Sequence, residues 1–183
     1  MRGIFSMRFF LCLRRCAVAF AVHCSPLSRA LGDSRKRTMR APFQVLVFPY
    51  QILEQQPRYL IGQRSDNGVW QAISGGGEDS ESILEAAKRE LQEETSLIGC
   101  DWQQLDSMCM LPKVYYADHE NWTNHRFVVP EYSFSVRVSA EPQLSNEHRN
   151  FRWCGFQEAS ELLKYDSNKI ALWELDQRLK STL

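Results

Sequence analysis

The sequence predicts a mixed α/β sandwich in a single domain, on three observations. Short apolar, β-branched runs recur along the chain, one amphipathic helical pattern interrupts them early, and two helical patterns close it. Residues 42–49 (PFQVLVFP) read as the first strand, and the polar stretch 51–57 separates it from a second at 58–63. Residues 70–74 read as a short third strand that stops at Gly75-Gly76-Gly77. Residues 80–95 carry the clearest helix: Ser82 and Glu85 make a capping box, and Ile83, Leu84, Ala87 and Leu91 form an apolar stripe. Further strands are expected over 100–111, 113–117, 126–138 and 150–153, with helices over 157–163 and 167–179. Met108 and Met110 alternate with Cys109 in strand fashion and are assigned to the core.

The length of 183 residues suits one domain with terminal excess, and 44% hydrophobic with 24% charged residues excludes a fibrous or wholly disordered chain. Lys+Arg and Asp+Glu are both 22, but the charge is split along the chain. Residues 1–40 hold nine basic residues and one acid, Asp33, which leaves the remaining 143 with 13 basic and 21 acidic groups. So acidic a body is a poor nonspecific nucleic-acid binder, because phosphate affinity rests on a basic face. No apolar run approaches the ~20 residues that span a bilayer, so no membrane partner is expected either.

Residues 1–38 are read as a basic N-terminal extension, and residues 39–183 as the domain. The extension fits a secretory signal, an organellar transit peptide, or sequence upstream of a true start at Met39, the last preferred because Met39 directly precedes the first strand. A cytoplasmic location is expected, or an exported or organellar one if the extension is a targeting segment. Cys100, Cys109 and Cys154 in the body form no CxxC pair, so a zinc knuckle is not expected and the thiols read as small buried side chains.

The chemistry concentrates between Gly75 and Leu97. On a helix, Glu90, Glu93 and Glu94 stand at i, i+3 and i+4 and share one face. Such crowding fits a solvated acidic face, or carboxylates gathered for a hard divalent cation such as Mg2+, which takes oxygen ligands and leaves room for substrate phosphates. Glu81, Glu85 and Arg89 form an adjacent stripe, so Arg89 can pair with a carboxylate and hold the neighbouring side chains.

The whole pattern resembles the Nudix hydrolase signature. Gly75, Glu81, Arg89-Glu90-Leu91, Glu93-Glu94 and Leu97 match its fixed positions over 23 residues, and Ser96 alone departs, standing where the signature has Gly. That departure touches the turn after the helix and not a charged ligand. Arg64-Ser65-Asp66-Asn67-Gly68-Val69-Trp70-Gln71, Ser145-Asn146-Glu147-His148 before Phe151-Arg152-Trp153, and the tail near Asn168-Lys169 are similar to a subgroup acting on dATP or dihydroneopterin triphosphate.

The resemblance implies an α/β/α sandwich with a mixed sheet, and a pyrophosphohydrolase using Mg2+ or Mn2+. The expected substrate is a small molecule, a (deoxy)nucleoside triphosphate or dihydroneopterin triphosphate, cleaved to monophosphate and pyrophosphate. Its rivals are ADP-ribose or a diadenosine polyphosphate, or a binding module without turnover. The intact Arg-Glu-x-x-Glu-Glu set speaks against that module.

On this reading Glu93 and Glu94 are first-choice metal ligands, with Glu90 as ligand or base-side partner and the Ser74 carbonyl as a further ligand. Arg89 orients the set. Glu147 is a ligand or general base from outside the helix, or else an exposed loop acid, and His148 beside it reads as polar surface. Arg64 and Lys113 are phosphate contacts or solvated side chains. Trp70, Tyr115, Tyr116 and Trp122 are stacking partners for the leaving group, or packing residues.

Overall fold

Alternation along the first strand sets out the layers. In β1 (Arg40–Leu53), Leu46, Phe48 and Tyr50 point to one side of the sheet and Val45 and Val47 to the other, and all five are buried. The computed structural model describes residues 39–117 and 119–182, so the basic extension of residues 1–38 lies outside the described residues. From Met39 onward the chain belongs to one compact unit.

β1 is followed by β2 (Gln56–Arg64), β3 (Trp70–Gln71), β4 (Ile73–Glu78) and helix α1 (Ile83–Thr95). Then come β5 (Cys100–Pro112), β6 (Val128–Arg137), β7 (His148–Cys154), α2 (Phe156–Leu162) and α3 (Asp166–Lys180). The strands join in the order β3-β2-β1-β6-β5, with β4 on β1 and β7 on β2. β1 and β6 run parallel, Gln44 opposite Glu131 and Tyr50 opposite Arg137, while the other pairs are antiparallel, so the sheet is mixed.

Helix α1 lays Ala86, Ala87 and Leu91 on Val45, Val47, Ile73 and Val136. On the opposite face, α2 and α3 bring Ala159, Leu172 and Leu175 against Leu46, Phe48, Tyr59 and Ile61. The Tyr59 hydroxyl donates to Asp176 of α3 at 2.9 Å inside that layer. The result is an α/β/α sandwich. Among the described residues no helix is long and apolar enough to cross a membrane.

Five expectations need correction. The strand over 70–74 does not stop at the glycines: β4 carries Gly75 and Gly76 opposite Val45 and Gln44 of β1 and ends at Glu78. Residues 113–117 are not a strand. β5 ends at Pro112, which has no N–H for a further rung, and a 3-10 turn follows over Lys113–Tyr115. Met108 and Met110 are not core, being 58% and 50% exposed on the edge strand β5. His148 is not surface, because its ring is buried between Gly62 and Phe151. Cys100, Cys109 and Cys154 are free thiols, and only Cys154 is fully buried.

Candidate active site

Helix α1 places the acidic cluster, and its start explains the register. Ser82 caps it: the Ser82 N–H donates to Glu85 at 2.8 Å and the Glu85 N–H donates back to the Ser82 hydroxyl at 3.3 Å. Glu85 is thereby committed to the cap, and Arg89 pairs elsewhere. Its guanidinium donates to both oxygens of Glu81 at 2.9 and 3.0 Å, to Glu90 and Glu93 at 2.9 Å each, and to the Gly76 carbonyl at 2.7 Å. Burial opposes the guanidinium charge, yet these carboxylates hold its pKa above the ordinary value. Arg89 thus ties the helix to β4 and keeps two glutamates in place.

The three glycines of β4 make this approach feasible. A Cβ on Gly75 would collide with the Glu90 carboxylate, one on Gly76 with the Arg40 guanidinium, and one on Gly77 with the Phe43 ring. Their role is space, not backbone freedom.

Glu94 lies deepest, 3% exposed, and its Oε2 has no hydrogen-bond partner. His148 Nδ1 approaches it at 3.5 Å, too far for an aligned hydrogen bond. Burial, then the charges of Glu90 and Glu147, push the Glu94 pKa up to about 9. Burial likewise raises Glu90, against the opposing hydrogen bond from Arg89. Burial drives His148 down to about 4, so its imidazole is neutral.

Across the cleft, Arg64 at the end of β2 grips Glu147 at 2.6 Å and Asp66 at 3.2 Å. The Ser65 N–H also donates to the Glu147 carbonyl at 2.8 Å, which fastens the loop before β7. The cleft measures about 450 Å³ and its walls include Arg40, Arg64, Ser74, Glu90, Glu94 and Glu147.

Of the residues singled out in the sequence, Arg64, Ser74, Glu90, Glu94 and Glu147 therefore meet, with Tyr115 and Tyr116 beside them. Glu93 stays at the rim, its side chain 61% exposed and paired with Arg89. Trp70 packs against the α2–α3 layer beneath the Arg152 guanidinium, 5.2 Å from the ring centroid. Trp122 is buried and donates its indole N–H to the Arg40 carbonyl at 2.9 Å. Lys113 sits in the 3-10 turn, outside the cleft walls.

Arg40 entered the sequence reading only as one of the nine basic residues of 1–40, yet it lies in β1 with its guanidinium 4.7 Å from the Tyr116 ring centroid, facing the cleft. Glu131 was also missed, and Asn168, which entered the sequence reading only through the family-like tail, was given no role in the site. A second chamber of about 500 Å³ shares Gln44, Gln71, Ser74, Tyr115 and Tyr116 with the cleft and adds Glu131 and Asn168. An acid inside the apolar run of β6 was the available signal for Glu131, since buried acids are rare without a purpose.

The residues fit a hard divalent cation. Among the described residues no three His, Cys, Asp or Glu side chains form a ready cage. The orphaned Glu94 oxygen is nevertheless buried beside Glu90 and Glu147, an all-oxygen set whose mutual repulsion a cation would offset. A Mg2+ site needs few protein ligands when waters and substrate phosphates complete the octahedron.

Comparisons with known proteins agree with this geometry. The NUDIX domain family model matches residues 43–173. The asymmetrical bis(5'-nucleosyl)-tetraphosphatase of Sus scrofa is 33% identical over 125 residues, 67% of this chain and 81% of its own. A solved structure of a NUDIX hydrolase assigned by similarity in Listeria monocytogenes superposes with a TM-score of 0.69 and 41% identity, over 78% of this chain and 97% of that one. The dihydroneopterin triphosphate pyrophosphohydrolase of E. coli, at 22% identity and a TM-score of 0.59, covers 76% of this chain and 97% of its own and shares the fold. With the signature helix, the sandwich and the family match in agreement, this chain belongs to the Nudix family and is a hydrolase of phosphoric anhydride bonds in nucleotide derivatives.

Proposed function

We propose that the chain is a divalent-metal-dependent pyrophosphohydrolase that cleaves a (deoxy)nucleoside triphosphate or dihydroneopterin triphosphate to the monophosphate and pyrophosphate. The observation that carries this reading is the buried, unpartnered carboxylate of Glu94 beside Glu90 and Glu147, at the wall of a polar cleft that continues into a second chamber.

In this reading Glu90, Glu94 and the Ser74 carbonyl hold Mg2+ or Mn2+, and Glu93 joins them from the rim. When bound there, such an ion would supply charge neutralisation for the phosphates and raise the acidity of the attacking water. Arg89 keeps Glu90 and Glu93 oriented through its ion pairs. Arg40 and Arg64 face the cleft as the cations for the phosphate oxygens. Glu147 is the base that takes the proton from the attacking water, and Arg64 holds it in position at 2.6 Å.

A second reading is favoured by the Sus scrofa relative, whose name gives a bis(5'-nucleosyl)-tetraphosphate as its substrate. Chromatographic separation of the products decides between them, measured on dATP, dGTP, dihydroneopterin triphosphate, ADP-ribose and diadenosine tetraphosphate with and without Mg2+, because monophosphate plus pyrophosphate is distinguished there from AMP plus ATP or AMP plus ribose 5-phosphate. Mg2+-dependent turnover led by a triphosphate is the expected result. A lead for diadenosine tetraphosphate would establish the second reading, and no turnover on any substrate would overturn both.

A further inference from the structure

The second chamber contains a buried acid that the hydrolytic reading leaves without a task. Glu131 is 6% exposed in β6 and opposite Gln44 of β1, and its Oε1 has no hydrogen-bond partner. The Glu131 side chain lines the same wall as Gln71 and Asn168. Burial raises its pKa, against the opposing hydrogen bond from Ser167, so the fold bears a cost at this position that a ligand with the right donors would offset.

Asn168 is oriented by the chain itself. Its Oδ1 accepts the Ala72 N–H at 2.9 Å, which leaves the amide NH2 with only a 3.4 Å contact to the Ser167 hydroxyl. The chamber thus offers a carboxylate acceptor beside an amide donor, and Tyr115 and Tyr165, 72% and 46% exposed, contribute aromatic surface to its walls. Its volume of about 500 Å³ lies within the range of small-molecule sites.

We propose that Glu131 selects the heterocycle of the substrate by accepting from the adjacent ring N–H and exocyclic amine of a 2-amino-4-oxopyrimidine ring, the edge common to guanine and pterin. This proposal rests on the triphosphate reading above. The two neighbouring donors of that edge match the two oxygens of one carboxylate, as a guanidinium does, and the Asn168 amide supplies a donor for the 4-oxo group. Adenine and cytosine present an acceptor beside a donor at the same edge, so one carboxylate oxygen would face a lone pair. A site built for donors discriminates strongly against a ligand that lacks them.

The test separates binding from turnover. With Mg2+ present, calorimetry compares the α,β-methylene analogues of GTP and ATP, which cannot be cleaved at that bridge, on wild type and Glu131→Gln. Wild type should prefer the guanosine analogue by about tenfold or more, and the variant should lose the preference while keeping its melting temperature. A preference for adenosine, no preference in wild type, or an unchanged ratio in Glu131→Gln would overturn the proposal.

A measurement on wild type alone stands even if the variant does not fold. ITP lacks the 2-amino group and should show a KM about tenfold or more above that of GTP, and equal KM values would count against Glu131 as the reader. Glu131→Gln should lower kcat/KM for GTP and dihydroneopterin triphosphate alike, and the larger wild-type value identifies which of the two rings the chamber serves. Guanine-selective binding without turnover of any triphosphate would sink the hydrolytic reading and leave the base reader standing, whereas turnover indifferent to Glu131 would do the reverse.

Discussion

Glu94 concentrates the electrostatic cost of the site in one side chain. Its carboxyl keeps its proton up to about pH 9 in the fold, against an ordinary value of 4.5. The folded state therefore binds more protons than the unfolded chain between those values, and metal-free stability falls as pH rises through that window. Glu94→Gln removes the titration, so its melting temperature should hold between roughly pH 5 and 9 where metal-free wild type declines. Mn2+ must displace the same proton, so its thermal stabilisation of wild type should be larger at about pH 8.5 than at about pH 6, and absent in the variant. An equal Mn2+ shift in Glu94→Gln would remove Glu94 from the ligand set. Glu147 is separable from it by kinetics. Glu147→Gln should lower kcat at nearly unchanged KM and erase the acidic limb of the pH–rate profile. If Glu90→Gln erases that limb instead, while Mn2+ affinity stays near wild type, the base belongs to the helix.

Helix α1 ends at the position where the chain departs from the Nudix signature. Ser96 is the C-cap residue with φ 58°, in the left-handed region, and its N–H donates to the Gln92 carbonyl at 2.8 Å. A side chain there costs about 1–2 kcal/mol relative to glycine. The departure thus changes the strain of the turn and not its shape. Ser96→Gly should raise stability by roughly 1 kcal/mol, read by urea denaturation, with turnover unchanged because Ser96 touches none of the cleft residues. A neutral or destabilising result would mean that the serine contributes something the backbone angle does not reveal. At the opposite end of the helix, the Ser82–Glu85 cap starts the register that brings Arg89, Glu90 and Glu94 toward β4.

For the molecule as a unit, the boundary of the domain is the testable matter. The Met39 backbone exchanges contacts with Asp79: its N–H donates to the Asp79 carboxylate at 2.9 Å and its carbonyl accepts the Asp79 N–H at 2.7 Å. Both sandwich layers are complete from β1 onward. A chain beginning at Met39 should be soluble and match full-length protein in turnover and melting temperature. A clear loss of either would show that residues 1–38 contribute to the domain.

Much of this was legible without coordinates, and the division has a physical cause. Helical periodicity and capping are local, so the α1 cap, its acidic face and the Arg89 stripe could be read from neighbours a few residues apart. The sequence alone determined the family signature, the charge split and the strand-rich mixed architecture. Burial is not local. Alternation separated the two faces of β5, but only the sheet order showed that Met108 and Met110 lie on an edge strand and are exposed. The glycines read as a strand stop because glycine commonly ends strands, whereas in the fold their missing side chains admit Glu90, Arg40 and Phe43. Tertiary structure alone decided that His148 is buried beside Glu94, that Trp70 serves packing, and that Glu131 of β6 meets Asn168 of α3 at one chamber. Those meetings depend on strands and helices far apart in the chain, and no short-range pattern records them.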